Sequence, residues 1–301
     1  MSYIVAIGSA CLDEYYKAEK WIEEGDKASV RMLSPVVGGM IANTACVISQ
    51  CGVKSYLVDT MNRSSCTELI LSDLIKYGVD VSRIRYDDAL PDGKCIIILT
   101  DKERTLFSVR LDKPLLQTEP DLELFKNADY IYSKFDDFLR VDSPLGFSGE
   151  MRQAGVQTAF DVESFSGSYN EHKLLCDAGV VFFNQYGASD YEKAMGSARA
   201  WTELFRYGVK VVAVTMGDKG CDVYIPGAQY HVPAFNVPII DTTGAGDTFN
   251  GAFLSRLCLG DDPLSAARYA SAAAACCVMN YGAKRPDLSD ALIRELMGNK
   301  L

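Results

Sequence analysis

Short apolar runs alternate with longer stretches of helical periodicity along most of the chain. Tyr3–Gly8 (YIVAIG) predicts a buried strand. After Gly38-Gly39, the spacing of apolar residues predicts a helix over Met40–Gln50 that stops at Gly52. Ser55–Asp59 predicts the next strand. Ser64–Tyr77 then predicts a helix with Leu69, Leu74 and Tyr77 on one face and Gly78 as its stop. Further strands are predicted at Tyr130–Ser133, Val156–Asp161, Val180–Asn184 and Lys210–Thr215, each beside a helix-like stretch. Strands alternating with helices imply an α/β fold with a mostly parallel sheet covered on both faces.

Two regions break this rhythm. Leu12–Val37 holds short alternating stretches such as Ser29–Leu33. Arg83–Leu111 holds two strand-like runs, Lys94–Thr100 and Thr105–Arg110, around the charged turn Asp101–Arg104. A hairpin with no intervening helix does not suit a doubly wound sheet, so these pieces predict a small accessory sheet. Gly220–Pro233 is a further hairpin candidate, turning at Pro226-Gly227. No tandem repeat or low-complexity linker separates these parts, and the pattern favours one core with a flap over two domains.

Composition narrows the class. With 48% hydrophobic and 23% charged residues over 301 positions, the chain is neither disordered nor fibrous. Its 30 basic and 40 acidic residues give a net charge of −10, which disfavours broad binding to nucleic acid or anionic membrane. A local basic pocket for a small anion stays open. The ten cysteines include no C-x-x-C pair, and with two histidines no zinc-ligand spacing appears; reduced, structural thiols are expected. No run approaches the length of a membrane span, and no signal-like segment opens the chain. The expectation is a soluble cytoplasmic protein.

The densest chemistry lies in Ile240–Phe253, IDTTGAGDTFNGAF. A strand-like lead-in at Val237–Ile240 meets Asp241-Thr242-Thr243, then Gly244-Ala245-Gly246 and Asp247; Phe249, Phe253 and Leu257 follow at helical spacing. Glycine-rich backbone opening a helix lets successive N–H groups converge on an anion, helped by the positive helix end. Asp247 then falls in the first turn, either as a plain cap or as a group beside an anion hole. No Walker A sequence is present.

The eleven-position pattern D-T-x-G-A-G-D-x-F-x-G resembles the C-terminal signature of the PfkB carbohydrate kinase family. Other motifs follow in order. Gly8 with Asp13 is similar to the family's opening, where the aspartate binds sugar hydroxyls. Gly38-Gly39-Met40-Ile41-Ala42-Asn43 resembles the G-G-x-x-A-N motif lining the sugar pocket. Val214–Gly220 resembles the nucleotide-binding V-T-x-G-x-x-G, and Gly282-Ala283 with Pro286 resembles the loop beyond the adenine site.

The resemblance implies a ribokinase-like three-layer α/β/α sandwich, one domain over residues 1–301, with a lid from segments near 12–37 and 83–111. It implies an ATP- and Mg²⁺-dependent sugar kinase in which Asp247 takes the hydroxyl's proton and Gly244, Ala245 and Gly246 form the anion hole. Asp13, Gly38, Gly39 and Asn43 would hold the sugar. Asn184, Thr215, Gly217, Gly220, Gly246 and Ala283 would serve the nucleotide. Asp241 and Thr243 lie where relatives bind a monovalent cation such as K⁺, or else they form a capped turn. A homodimer through the lid is expected.

One departure stands out. The family often carries N-x-x-E ahead of the nucleotide motif, with the glutamate organising Mg²⁺ through water. Here Asn184 is followed by Gly187 at the glutamate position. Asp161-Val162-Glu163 could point acids into the crevice, or cap a helix. Arg110 and Lys134 end strands, as pocket cations or as solvated charges. Cys11 and Cys46 lie near the sugar motifs, where inert packing is expected. A nucleoside kinase, with Tyr15, Tyr16 and Phe107 stacking a base, and a non-catalytic binding protein are the competing readings.

Overall fold

The computed structural model describes residues 2–101, 103–109, 122–196 and 200–298. Eight strands form the large sheet. From one edge to the other they are Ala228–Val232, Cys221–Ile225, Val211–Thr215, Val180–Asn184, Gln157–Val162, Tyr130–Lys134, Tyr3–Ile7 and Lys54–Val58. The last six are mutually parallel, while the 221–232 hairpin joins antiparallel. The hairpin foreseen from Pro226-Gly227 therefore widens the main sheet.

Strand residues alternate between two cores, because successive side chains point to opposite faces. Ile4, Ala6, Tyr132 and Phe182 pack with helices Met40–Gln50, Ala245–Cys258 and Pro263–Val278. Val5, Ile7, Ile131, Phe160 and Phe183 pack on the other face with helices Pro144–Gln153, Tyr169–Cys176 and Gln185–Met195. These are the three layers anticipated from the strand–helix rhythm.

The small sheet runs Arg31–Met32, Cys11–Lys17, Lys94–Leu99, Arg104–Ser108, with Val36–Gly38 also pairing to Cys11–Lys17. Cys11–Lys17 and Lys94–Leu99 are parallel, with Asp13 opposite Cys95. Among the described residues, the chain passes to or from the small sheet at three neighbouring places, Gly8–Ala10, Gly38-Gly39 and Gly93; the return after Arg104–Ser108 lies outside them. A side chain at Gly39 would press on the Ser9 carbonyl, and one at Gly93 on the Ala10 carbonyl.

Several expectations need correction. Val237–Ile240 is not a strand; Ile239 and Ile240 are exposed, and no neighbouring strand pairs with them. Helix Ser65–Lys76 buries Cys66, Thr67, Ile70 and Leu74 and leaves Leu69 in solvent. Its inner stripe starts from Cys66 and Thr67, two residues less conspicuous than leucine. Ser29–Leu33 gives only the two-residue strand Arg31–Met32, and Arg110 lies outside the described residues. Among the described residues, no helix is long and apolar enough to cross a membrane, and all ten cysteines are free.

Candidate active site

Parallel strands deliver their carboxyl ends, and whatever chemistry they carry, to one edge of the sheet. Asp13, Lys134, Asp161, Asn184 and Thr215 all follow or end such strands. Helix Ala245–Cys258 starts at the same edge. Gly244 sits ahead of it in the left-handed region, at φ 76°. A β-carbon there would also strike the Ala283 backbone, so glycine is required on two counts. Ala283 is itself buried beneath the loop, and the Cys277 thiol reaches both its carbonyl and that of Thr243. No side chain caps this helix, whereas Ser64, Ser168, Asn184 and Asp262 each cap theirs. The Ala245 N–H donates to the Thr242 carbonyl at 3.3 Å, and the N–H groups that follow it in the first turn are left for an external anion.

Asp247 is nearly inaccessible and accepts a 2.8 Å bond from Asn43 Nδ2, while the Thr44 hydroxyl reaches its backbone carbonyl. Burial raises its pKa to about 7; the Asn43 bond opposes the rise, and the charges of Glu163 and Asp13 add to it. Asp161, on the facing strand, is likewise raised to about 7 by burial and then by Asp247. The Tyr132 hydroxyl lies 3.4 Å from Asp161 and accepts a 3.1 Å bond from Asn250. Asn43 Oδ1 is buried with no partner among the described residues.

Asp13 faces this group from the small sheet. Burial raises its pKa, and contacts with Cys11 and Cys95 temper the rise. Gly38 lies against its carboxylate so closely that a β-carbon would overlap it. Gly39 caps helix Met40–Gln50, which carries Asn43. The G-G-x-x-A-N motif thus both clears room for Asp13 and aims Asn43 at Asp247.

The remaining motif residues are spent partly on structure. Asn184 Oδ1 accepts from the N–H groups of Tyr186 and Gly187, capping helix Gln185–Met195. Thr215 Oγ1 donates to the Phe183 carbonyl, and Gly217 and Gly220 bracket a single 3₁₀ turn. Asp241 accepts from the Thr243 N–H and hydroxyl through Oδ1 and from the Gly282 N–H through Oδ2. Although burial opposes it, these bonds hold Asp241 below the usual carboxylate range. Lys134 is paired with Glu163 at 2.5 Å, so its charge does not stand alone.

Two features escaped the sequence. Arg104, at the start of a small-sheet strand, donates to the Thr243 hydroxyl across 139 positions of chain; nothing local distinguished it from its charged neighbours. Gly187 is not merely a lost glutamate. A β-carbon there would collide with the Val162 carbonyl and the Glu163 backbone, so the helix packs too tightly for any side chain. The acid available at that point is Glu163 itself.

Comparison with known proteins agrees with this geometry. Residues 1–290 match the pfkB family carbohydrate kinases. An ATP-dependent ribose-1-phosphate kinase of Halopiger xanaduensis is 26% identical, covering 97% of both chains. A ribokinase of Arabidopsis thaliana is 27% identical over 96% of this chain and 80% of its own. The structure of Arabidopsis ribokinase with ribose and ATP superimposes with a TM-score of 0.85 at 24% identity, covering 99% of each chain. With the family match spanning residues 1–290, this chain is a member of the pfkB carbohydrate kinase family, and so a sugar kinase, a phosphotransferase with an alcohol acceptor.

Proposed function

We propose that the protein transfers the terminal phosphoryl group of ATP to a hydroxyl of a small sugar held between Asp13, Asn43 and Asp247. The observation that carries this reading is the buried Asp247 carboxylate in the first turn of an uncapped helix. Asp247 orients the attacking hydroxyl and takes its proton. Its raised pKa makes it a better base than an ordinary carboxylate. The N–H groups of Gly244, Ala245 and Gly246 hold the charge that spreads over the transferring phosphoryl. Asn43 fixes Asp247 through its amide and offers its unpartnered Oδ1 to a sugar hydroxyl.

Asn184, Thr215, Gly217 and Gly220 serve the nucleotide, with Ala283 supporting the loop from beneath. Mg²⁺ neutralises phosphate charge and travels with ATP. Glu163, beside the Gly187 backbone, is the carboxylate that would organise it through water. Both Asp241 oxygens are already bonded, so a monovalent cation such as K⁺ would rest on backbone carbonyls at this turn. The small sheet, from segments near 12–37 and 83–111, is the lid that excludes water. Exposed Met32 and Phe107, on the sheet face away from Asp13, with Trp21 stacked on Phe107, support a homodimer through that sheet. Light scattering tests this, since Phe107→Lys should give a monomer. The free thiols fit a reducing compartment such as the cytoplasm.

A nucleoside is the less favoured acceptor. Tyr16 and Phe107 lie on the strand face opposite Asp13, which removes two of the three rings suited to a base. With Lys134 paired to Glu163, Arg104 is the cation among the described residues best placed to meet a phosphorylated sugar. The test is coupled ADP release with Mg-ATP across neutral sugars, sugar phosphates and nucleosides. Turnover with one class, abolished in Asp247→Asn, supports the reading; binding of ATP and sugar with no turnover anywhere would sink it.

A further inference from the structure

The small sheet brings together two thiols and a carboxylate that are remote in sequence. Strand side chains alternate, so Cys11 and Asp13 share a face, and the parallel pairing of Asp13 with Cys95 puts the second thiol on that face too. Cys11 Sγ lies 3.5 Å from Asp13 Oδ1 and 3.6 Å from Cys95 Sγ. One ligand atom from each of the three residues falls within 4.8 Å of the others, and all three residues are half-buried.

These separations match the edges of a coordination tetrahedron. With Zn–S about 2.3 Å and Zn–O about 2.0–2.2 Å, ligand atoms sit roughly 3.5–3.8 Å apart around the ion. Two sulfurs select a borderline or soft cation over Mg²⁺, whose preference is for oxygen. Three protein ligands leave a fourth position for water. We propose that Cys11, Asp13 and Cys95 form a binding site for a single zinc-class divalent cation, and that its occupation excludes the sugar. Binding releases the proton of each thiol and leaves both sulfurs as thiolates on the metal. The exclusion rests on the reading of Asp13 as a sugar ligand, because one carboxylate cannot serve metal and hydroxyls together. The ligands come from strands 84 positions apart, which is why no local spacing announced the site.

Cadmium titration of the reduced full-length protein provides the test, followed by thiolate-to-metal charge-transfer absorbance. The band should saturate at one equivalent, weaken in Cys11→Ser or Cys95→Ser, vanish in the double variant and be displaced by Zn²⁺. Cys258→Ser, altering a half-buried thiol elsewhere, should keep it, and circular dichroism shows that each variant is folded. No saturable band, or one that survives in the folded double variant, overturns the site. A second arm measures Zn²⁺ affinity by calorimetry with and without a saturating sugar substrate, where at least a tenfold weakening is expected. If sugar leaves zinc affinity unchanged while Asp13→Asn still raises KM, the exclusion is overturned and the reading of Asp13 stands. If Asp13→Asn weakens metal binding but leaves KM unchanged, the reading of Asp13 fails instead, while the metal site is upheld.

Discussion

The strands of the large sheet are covered on both faces, whereas the small sheet keeps one face in solvent. Ile4, Val5, Ala6 and Ile7 are wholly buried, while Met32 and Phe107, on the small-sheet face away from Asp13, and Trp21 stacked on Phe107 are about half exposed. Asp247, assigned to chemistry, and its buried neighbour Asp161 sit between packed layers where burial raises their pKa values. The groups assigned to choosing the acceptor, Asp13 and Arg104, stand on the thinner sheet. Rigid surroundings make a carboxylate reactive; a cover resting on one face can change its contacts at less cost to the fold.

Asp247→Asn should sharpen this contrast most. Loss of the base should lower kcat by about 10³-fold with little change in KM, read by steady-state kinetics. The same substitution should stabilise the protein. Asp247 has a folded pKa of about 7 against an ordinary 3.8, so its ionisation penalises the fold as pH rises through that window. Thermal melts should favour the variant at pH 8, by up to about 4 kcal/mol, and show no such gain near pH 3. Equal melts at both values would break the link between burial and reactivity.

Asp13→Asn tests the cover. Loss of a charged bond to sugar hydroxyls should raise KM roughly 10- to 100-fold and leave kcat within a few-fold. A kcat effect as large as that of Asp247→Asn would erase the division between the two sheets. Gly187→Glu comes next. It restores the common family residue but overpacks the Val162–Glu163 backbone, so the melting midpoint should fall by the equivalent of about 1–3 kcal/mol with no gain in kcat. An active, equally stable variant would show that the helix yields easily.

Glu163→Gln is read by the position of its pH profile, apart from the fall in kcat expected on losing the carboxylate proposed to organise Mg²⁺. Removing a negative charge near Asp247, and leaving Lys134 only its 4.0 Å contact with Asp136, should lower the Asp247 pKa. The acid limb of kcat/KM, expected near pH 7, should move down by about one unit or less. A limb that stays fixed would assign it to another group.

The fold was legible because strands such as Val180–Asn184 are short, apolar and followed by helical spacing, a pattern that parallel sheets require. The floor of the site was legible because Gly244–Asp247 is contiguous and its glycines answer a local backbone demand. Contacts between distant segments were not. Arg104 reaching Thr243, Lys134 neutralised by Glu163, and Cys95 beside Cys11 depend on pairings between segments far apart in the chain. Val237–Ile240 misled in the opposite sense: an apolar run resembled a strand, although its Ile240 N–H meets the Val278 carbonyl at a helix end and no strand pairs with it.

The described crossings between the sheets have a consequence for how effects combine. Gly39 lies against Ser9, and Gly93 against Ala10, so these connections are close neighbours. Asp13, Cys11, Cys95 and Arg104 belong to the strands of one small sheet. A substitution that shifts those strands should therefore disturb sugar contact, thiol pair and loop contact together, read as a joint change in KM and cadmium affinity.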